Sequence, residues 1–217
     1  MKKLVVLLTK YPEPWKVKTR LAKEIWFEKS AFVQEMFIKN ILKNNYFTSD
    51  REYDFKICLK EKEKIDEFVN DFWIENDDIF FPEWEDLWKV MTSIFEQTLW
   101  NYESVLLIWS DIPLLKKFDF LSSFGILKNN DFVLWRAIDW GYYLVWMKQL
   151  KTYIFDDIVF STNKVFDETI YKIEKNNDNF WLIDEKRDID ELIDIFEEAK
   201  IDNTWFFKTI IEKINEK

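Results

Sequence analysis

Short apolar segments that read as strands alternate with longer amphipathic segments that read as helices along the whole chain. This alternation predicts an α/β fold, a three-layer α/β/α sandwich on a mostly parallel central sheet. Two further observations agree. Leu4–Leu8 and Ser104–Ile108 are nearly unbroken apolar runs, as strands buried on both faces are. No linker, low-complexity stretch or repeat of roughly 20–50 residues divides the sequence, so one domain over residues 1–217 is expected.

Leu4–Leu8 is the first buried strand, and Thr9–Arg20 is a loop with two prolines and four basic residues. Phe27–Asn44 places Phe27, Ala31, Met36, Ile38 and Leu42 among charges at helical spacing. Tyr53–Leu59 is rich in strand-forming residues and alternates, giving a second strand. Lys60–Asn70 reads as a charged amphipathic helix and Asp78–Phe81 as a short strand before Pro82. Leu87–Leu99 is helical, Ser104–Ile108 is a strand that Asp111-Ile112-Pro113 ends, and Phe118–Leu127 is helical. Asp131–Leu134 is a strand, whereas periodicity leaves Tyr142–Val145 open between a strand and a helix start. Thr162–Lys175 reads as a helix, Phe180–Ile183 as a short strand, and Arg187–Lys200 and Thr204–Glu216 as helices.

The chain has no histidine and a single cysteine, Cys58. A Ser-His-Asp triad, a His-Cys dyad, a histidine-ligated zinc site and an internal disulfide are therefore excluded. Acid–base chemistry falls to Asp, Glu, Lys or Tyr, and a metal would be a hard, oxygen-ligated ion such as Mg²⁺ or Mn²⁺. A net charge of −10 argues against nucleic acid as a partner. No apolar run approaches the roughly 20 residues of a membrane span. The apolar run after Met1-Lys2-Lys3 is too short for a signal peptide, so a cytoplasmic location is expected.

Two glycines against twelve tryptophans is an inverted ratio. An α/β domain of this size needs the positive-φ turns that glycine supplies. The tryptophans stand where glycine is expected: in Pro14-Trp15-Lys16, in Ile108-Trp109-Ser110 and in Asp139-Trp140-Gly141. Together the two counts approach the usual share of glycine, about 7%. A genetic code that reads UGA as glycine would produce this pattern if its UGA codons were written as tryptophan. The alternative is a protein naturally rich in tryptophan.

Four constellations carry candidate chemistry. The first runs from Lys10 to Leu21, just after the first strand, where open α/β sheets bind ligands. Extended, it would set Lys16, Lys18 and Arg20 on one side to meet a polyphosphate, Arg20 with a bidentate contact and Lys18 as a point charge. A solvated basic loop is the alternative, and position together with the acidity elsewhere favours phosphate. The second is Leu106 to Pro113, where Asp111 ends a central strand, either as a ligand for a divalent ion or as a turn cap. The third is Arg136 to Leu144. Its Asp139 is either a second metal- or acceptor-binding carboxylate beside Tyr142 and Tyr143, or a loop residue next to two core tyrosines. The fourth is Leu182 to Leu192, where Asp184 is a metal ligand or a helix cap, and Asp188 and Asp190 are read as caps.

In this order, the segments resemble a family of bacterial glycosyltransferase-like proteins, the radical-SAM/selenodomain-associated transferases. That family carries a Lys-x-Pro-x-Pro-Gly-x-x-Lys-Thr-Arg-Leu loop, matched by Lys10 to Leu21 with Trp15 at its glycine. Its Gly-Thr-Asp-Cys-Pro strand end is matched by Trp109 to Pro113. Its Asp-Gly-Gly-Tyr-Tyr-Leu-x-Gly loop is matched by Asp139 to Trp146. Ser161-Thr162 match its Trp-Ser-Thr segment with Phe160 at the tryptophan, and Asp184 and Asp188 match its last acidic motif with Leu182 at the first position. Glu83 to Trp88 looks like its Gly-Asp-Leu-Gly stretch. Trp15, Trp109, Trp140 and Trp146 all fall on family glycines.

The resemblance implies a nucleotide-diphospho-sugar transferase fold of the GT-A type. It implies Lys10, Lys16, Lys18, Thr19 and Arg20 as the nucleotide- and phosphate-binding set. Asp111 and Asp139 would be catalytic, and Asp111 and Asp184 would hold Mg²⁺ or Mn²⁺. The expected reaction is transfer from a nucleotide-sugar donor to a small-molecule acceptor. The rivals are a nucleotidyltransferase acting on an NTP and a small phosphorylated acceptor, and a non-catalytic nucleotide-binding module.

Overall fold

Leu4, Val5, Val6 and Leu7 have no solvent exposure, so this first run needs partners on both of its edges and both of its faces. The computed structural model of the chain describes residues 2–80, 82, 86–137, 142–156, 158 and 164–216, and it supplies them. The run forms β1 (Lys3–Thr9), paired in parallel with β2 (Asp54–Leu59) on one edge and β4 (Ser104–Trp109) on the other. A two-residue strand, β3 (Ile79–Phe80), extends the sheet beyond β2. β5 (Phe132–Ala137), β6 (Tyr142–Met147) and β7 (Phe180–Lys186) complete the order β3-β2-β1-β4-β6-β5-β7. The sheet is mostly parallel; β6 alone among the described strands runs against its neighbours β4 and β5.

Alternate residues of β1 feed different cores. Val5 and Leu7 pack with Ile38, Ile41 and Leu42 of α2 (Phe27–Asn45), Phe68 and Phe72 of α3 (Ile65–Phe72), and Phe120 and Phe124 of α5 (Lys117–Leu127). Leu4, Val6 and Leu8 pack with Val90, Met91, Ile94 and Phe95 of α4 (Leu87–Thr98) and Phe166 and Ile173 of α6 (Val165–Lys175). Strand period two thus assigns α2, α3 and α5 to one face of the sheet and α4 and α6 to the other.

α2 serves two cores. Its Val33 and Phe37 turn away from the sheet to Leu21 of α1 (Thr19–Ile25), Ile195 of α7 (Leu192–Ile201), and Phe207 and Ile210 of α8 (Phe206–Asn215). No described helix is long and apolar enough to cross a membrane.

Several boundaries depart from the sequence reading. α1 lies within and beyond what reads as loop; seven residues are too few to be helical alone, and packing of its buried Leu21 and Ala22 supports it. Tyr142–Met147 is a strand. β7 continues to Lys186, so Asp184 stands inside a strand rather than between a strand and a helix; its side chain lies outside the described residues. α7 starts at Leu192, not Arg187. Glu191 and Asp194 form its capping box, while the amide of Ile189 is held by the carbonyl of Asp111 at 3.0 Å. Capping at α7 thus belongs to Glu191 and Asp194, not to Asp188 and Asp190. Asp139 and the 159–163 segment lie outside the described residues.

Candidate functional site

The chain lays down β1, β2 and β3 toward one edge, then returns to place β4 on the other side of β1. Connections therefore leave in opposite directions at the carboxyl ends of β1 and β4, the switch point where open α/β sheets form a crevice. A cavity of about 520 Å³ opens there, within the usual range for small-molecule sites. Lys10, Lys18, Arg20 and Lys60 line it alongside Asp86, Asp111 and Asp190. In a chain of net charge −10, this wall has more cations than carboxylates.

The loop entering α1 is bent. Glu13 accepts the amide of Lys16 (3.2 Å) in a turn, and Trp15 within it has φ 72°. Lys18 then takes a left-handed conformation, φ 45° and ψ 46°, at the start of α1. That turn aims its side chain inward until only 3% of it is exposed. The ammonium donates to Asp111 Oδ1 and to the carbonyl of Ile189 at 2.6 Å, and lies 3.7 Å from Asp190 Oδ1. The ring of Phe37 packs beneath it, 5.4 Å from the nitrogen to the ring centre. Arg20, the second residue of the helix, pairs with Asp190 Oδ2 at 2.9 Å. Upstream, the amide of Tyr11 donates to Glu61 (2.8 Å) and its hydroxyl to Asp71 (2.5 Å). The hydrogen bond to the Asp71 carboxylate, with help from burial and nearby acids, pushes the Tyr11 phenol up to about 12.

The segment after β4 is held from α2 by side-chain amides. Gln34 Nε2 donates to the hydroxyls of Ser110 (2.8 Å) and Thr9 (3.3 Å), tying the ends of β4 and β1 together. Asn40 donates to the carbonyl of Pro113 (2.8 Å), and Asn45 to that of Leu115 (2.9 Å). These clamps fix the backbone around Asp111, whose side chain keeps 37% exposure toward the cavity.

Of the phosphate-binding candidates, Lys10, Lys18, Thr19 and Arg20 line the cavity together with Asp111. Lys16 does not join them. The turn sends it away to an ion pair with Glu13 at 2.9 Å, because the segment is bent instead of extended. Asp139 and the side chain of Asp184 lie outside the described residues. Sequence reading missed Asp190, taken as a cap, and Gln34. The signal for Gln34 was a polar residue on the buried stripe of an amphipathic helix, between Val33 and Phe37. Among the described residues, no three acidic or thiol side chains gather as a metal-binding group. Asp111 and Asp190 share the Lys18 ammonium, a donor set of two carboxylates.

The profile of a family described as "Uncharacterized protein conserved in bacteria (DUF2064)" matches residues 48–162, over half of the chain. The chain belongs to that family. The match contains Asp111 and Asp139, whereas the Lys10–Leu21 loop and Asp190 lie outside it. No curated protein matches this DUF2064 chain. Among solved structures, it is similar to a candidate nucleotide-diphospho-sugar transferase from Desulfovibrio desulfuricans G20. That match has a TM-score of 0.89 and 20% identity, and it covers 98% of this chain and 95% of the other. It is more distantly similar to a 4-diphosphocytidyl-2C-methyl-D-erythritol synthase from Anaerococcus prevotii DSM 20548, with a TM-score of 0.56, 12% identity, and coverage of 92% and 98%. A CMP:2-keto-3-deoxy-manno-octonic acid synthetase complexed with CTP is also similar, with a TM-score of 0.56, 7% identity, and coverage of 93% and 98%. At these low identities the TM-scores show a shared fold.

Proposed function

We propose that this protein is a transferase that binds the diphosphate of a nucleotide-activated donor, a nucleotide sugar, at the crevice between β1 and β4. One observation carries the reading: Lys18, Arg20, Asp111 and Asp190, from three distant stretches of chain, line one cavity at the switch point of the sheet. Lys18 and Arg20 hold phosphate oxygens, Lys18 as a point charge and Arg20 as a planar fork. The fold likeness to a candidate nucleotide-diphospho-sugar transferase, and the resemblance to the radical-SAM/selenodomain-associated family, favour the glycosyl donor. The three-layer α/β/α arrangement belongs to the same reading.

Two carboxylates suit Mg²⁺ or Mn²⁺ in this setting, since Mg²⁺ is commonly bound through one or two carboxylates plus substrate phosphates. Asp111 and Asp190 would hold such an ion, which when bound neutralises charge on the departing diphosphate. Lys18 pairs with Asp111 and Arg20 with Asp190, so arrival of the donor requires both cations to turn from the carboxylates to phosphate. Asp184 and Asp139 stay in the proposal as further ligand and acceptor-side carboxylate.

The test is turnover of nucleotide sugars with Mn²⁺. Release of a nucleoside diphosphate is expected, and Asp111→Ala should lower kcat by on the order of 10²–10³ with an unchanged circular dichroism spectrum. Undiminished activity in that variant sinks the assignment. The names of two fold relatives, a CMP-linked acid synthetase complexed with CTP and a diphosphocytidyl-methylerythritol synthase, favour a second reading, attack on the α-phosphate of an NTP. Pyrophosphate release from an NTP distinguishes it. Tight nucleotide binding with no turnover and no metal dependence would instead indicate a binding module.

A further inference from the structure

Among the described residues, six other than glycine have φ in the left-handed half of the map: Trp15, Lys18, Trp26, Trp73, Asn177 and Trp205. Asn is at home there, and Lys18 uses the conformation to reach the site. The other four are tryptophans, among the bulkiest side chains and no more suited to positive φ than any other residue with a Cβ.

Their settings are those in which glycine is favoured. Trp73 ends α3 in the left-handed conformation, φ 54° and ψ 43°, the usual glycine stop of a helix. Trp26 joins α1 to α2 with φ 80° and ψ 156°, a region that residues with a Cβ essentially do not occupy. Trp205 starts α8 at φ 66°, and Trp15 turns the loop that delivers Lys18. All four indoles are more than half exposed, so burial of the ring does not offset the backbone conformation.

The described glycine, by contrast, needs no such freedom. Gly125 is helical, and nothing lies within 4 Å of a Cβ added there. A separate sign comes from the core. Trp146 is fully buried with no partner for its indole N–H, whereas buried tryptophans usually find one.

We infer that the polypeptide made in the cell carries glycine at positions 15, 26, 73 and 205, the codons there being UGA read as glycine. The inference rests on backbone geometry and stands apart from the transferase reading. It predicts the gene directly, and it predicts that tandem mass spectrometry of protein isolated from its own organism reads glycine in the four peptides. UGG codons with tryptophan in those peptides overturn it. A recombinant comparison tests the physical cause. W26G should melt about 2–4 °C above W26A, because alanine removes the indole but keeps the Cβ that φ 80° disfavours. Equal melting temperatures for the two variants would overturn the backbone argument.

Discussion

Lys18 is an ammonium almost without solvent, and its oxygen partners come from the end of β4 and the approach to α7. Its removal should cost little stability for a buried ion pair. Taking one partner from a fully buried pair costs about 3–5 kcal/mol, since a charge is left stranded. Here Asp111 and Asp190 each keep 37% exposure and can hydrate instead. Lys18→Met is therefore expected to lower unfolding free energy by only about 1 kcal/mol, measured in urea. In the same variant, affinity for a nucleoside diphosphate should fall about tenfold or more, since charge-assisted hydrogen bonds contribute ~1.5–3 kcal/mol. Unaltered affinity by calorimetry would remove Lys18 from the phosphate site. Gln34 is the opposite case, buried and neutral, its amide donating to the hydroxyls of Ser110 and Thr9. Gln34→Leu keeps the bulk but takes from the Ser110 hydroxyl its amide donor, while Thr9 keeps its bond to the Lys10 carbonyl, and should cost about 1–3 kcal/mol in the same denaturation experiment. Of the two, only Lys18 carries a clear signal in the sequence. A cation in a basic loop announces itself, while a lone glutamine on an apolar stripe looks like an interruption.

α2 is the element on which the site depends. One stripe meets the sheet, another meets α7 and α8, and its Gln34, Asn40 and Asn45 amides hold the segment that carries Asp111. Helical spacing alone predicts its existence and nearly its length, because 19 residues of period 3.6 leave a strong pattern. The seven residues of α1 are too few to leave such a pattern. The start of α8 has a titratable component. Burial pushes the Asp202 carboxyl up, but hydrogen bonds from the Thr204 hydroxyl and amide and from the Phe206 and Phe207 amides outweigh it and hold it below the usual carboxylate range. A depressed folded value means that the stabilisation is present above the unfolded pKa and is lost as pH falls through the folded one. Stability should therefore decline on acidification below about pH 4. In Asp202→Asn this share of the decline should be missing. Parallel unfolding curves against pH for the two proteins check this, and an identical acid slope would show that Asp202 contributes nothing there.

At the scale of the molecule, an acidic body carries a local excess of cations at the β1–β4 crevice. A patch of that size can hold a diphosphate but not track a duplex, since affinity for DNA grows with the number of phosphates neutralised. Duplex DNA should therefore give no shift in an electrophoretic assay at 0.15 M salt, roughly physiological ionic strength; binding there would contradict the charge argument. Composition and periodicity by themselves determined the α/β class, the order of long elements, the exclusion of histidine chemistry, and Lys18, Arg20 and Asp111 as candidates. These are local or summed properties, carried by the chain whatever its path. Only the tertiary structure decided that Lys18 meets an aspartate 93 residues away and a carbonyl 171 residues away, that Lys16 turns aside to Glu13, and that Asp190 faces the cavity instead of capping a helix. Such pairings follow from which loops the sheet order brings to one crevice, and no spacing along the chain encodes that.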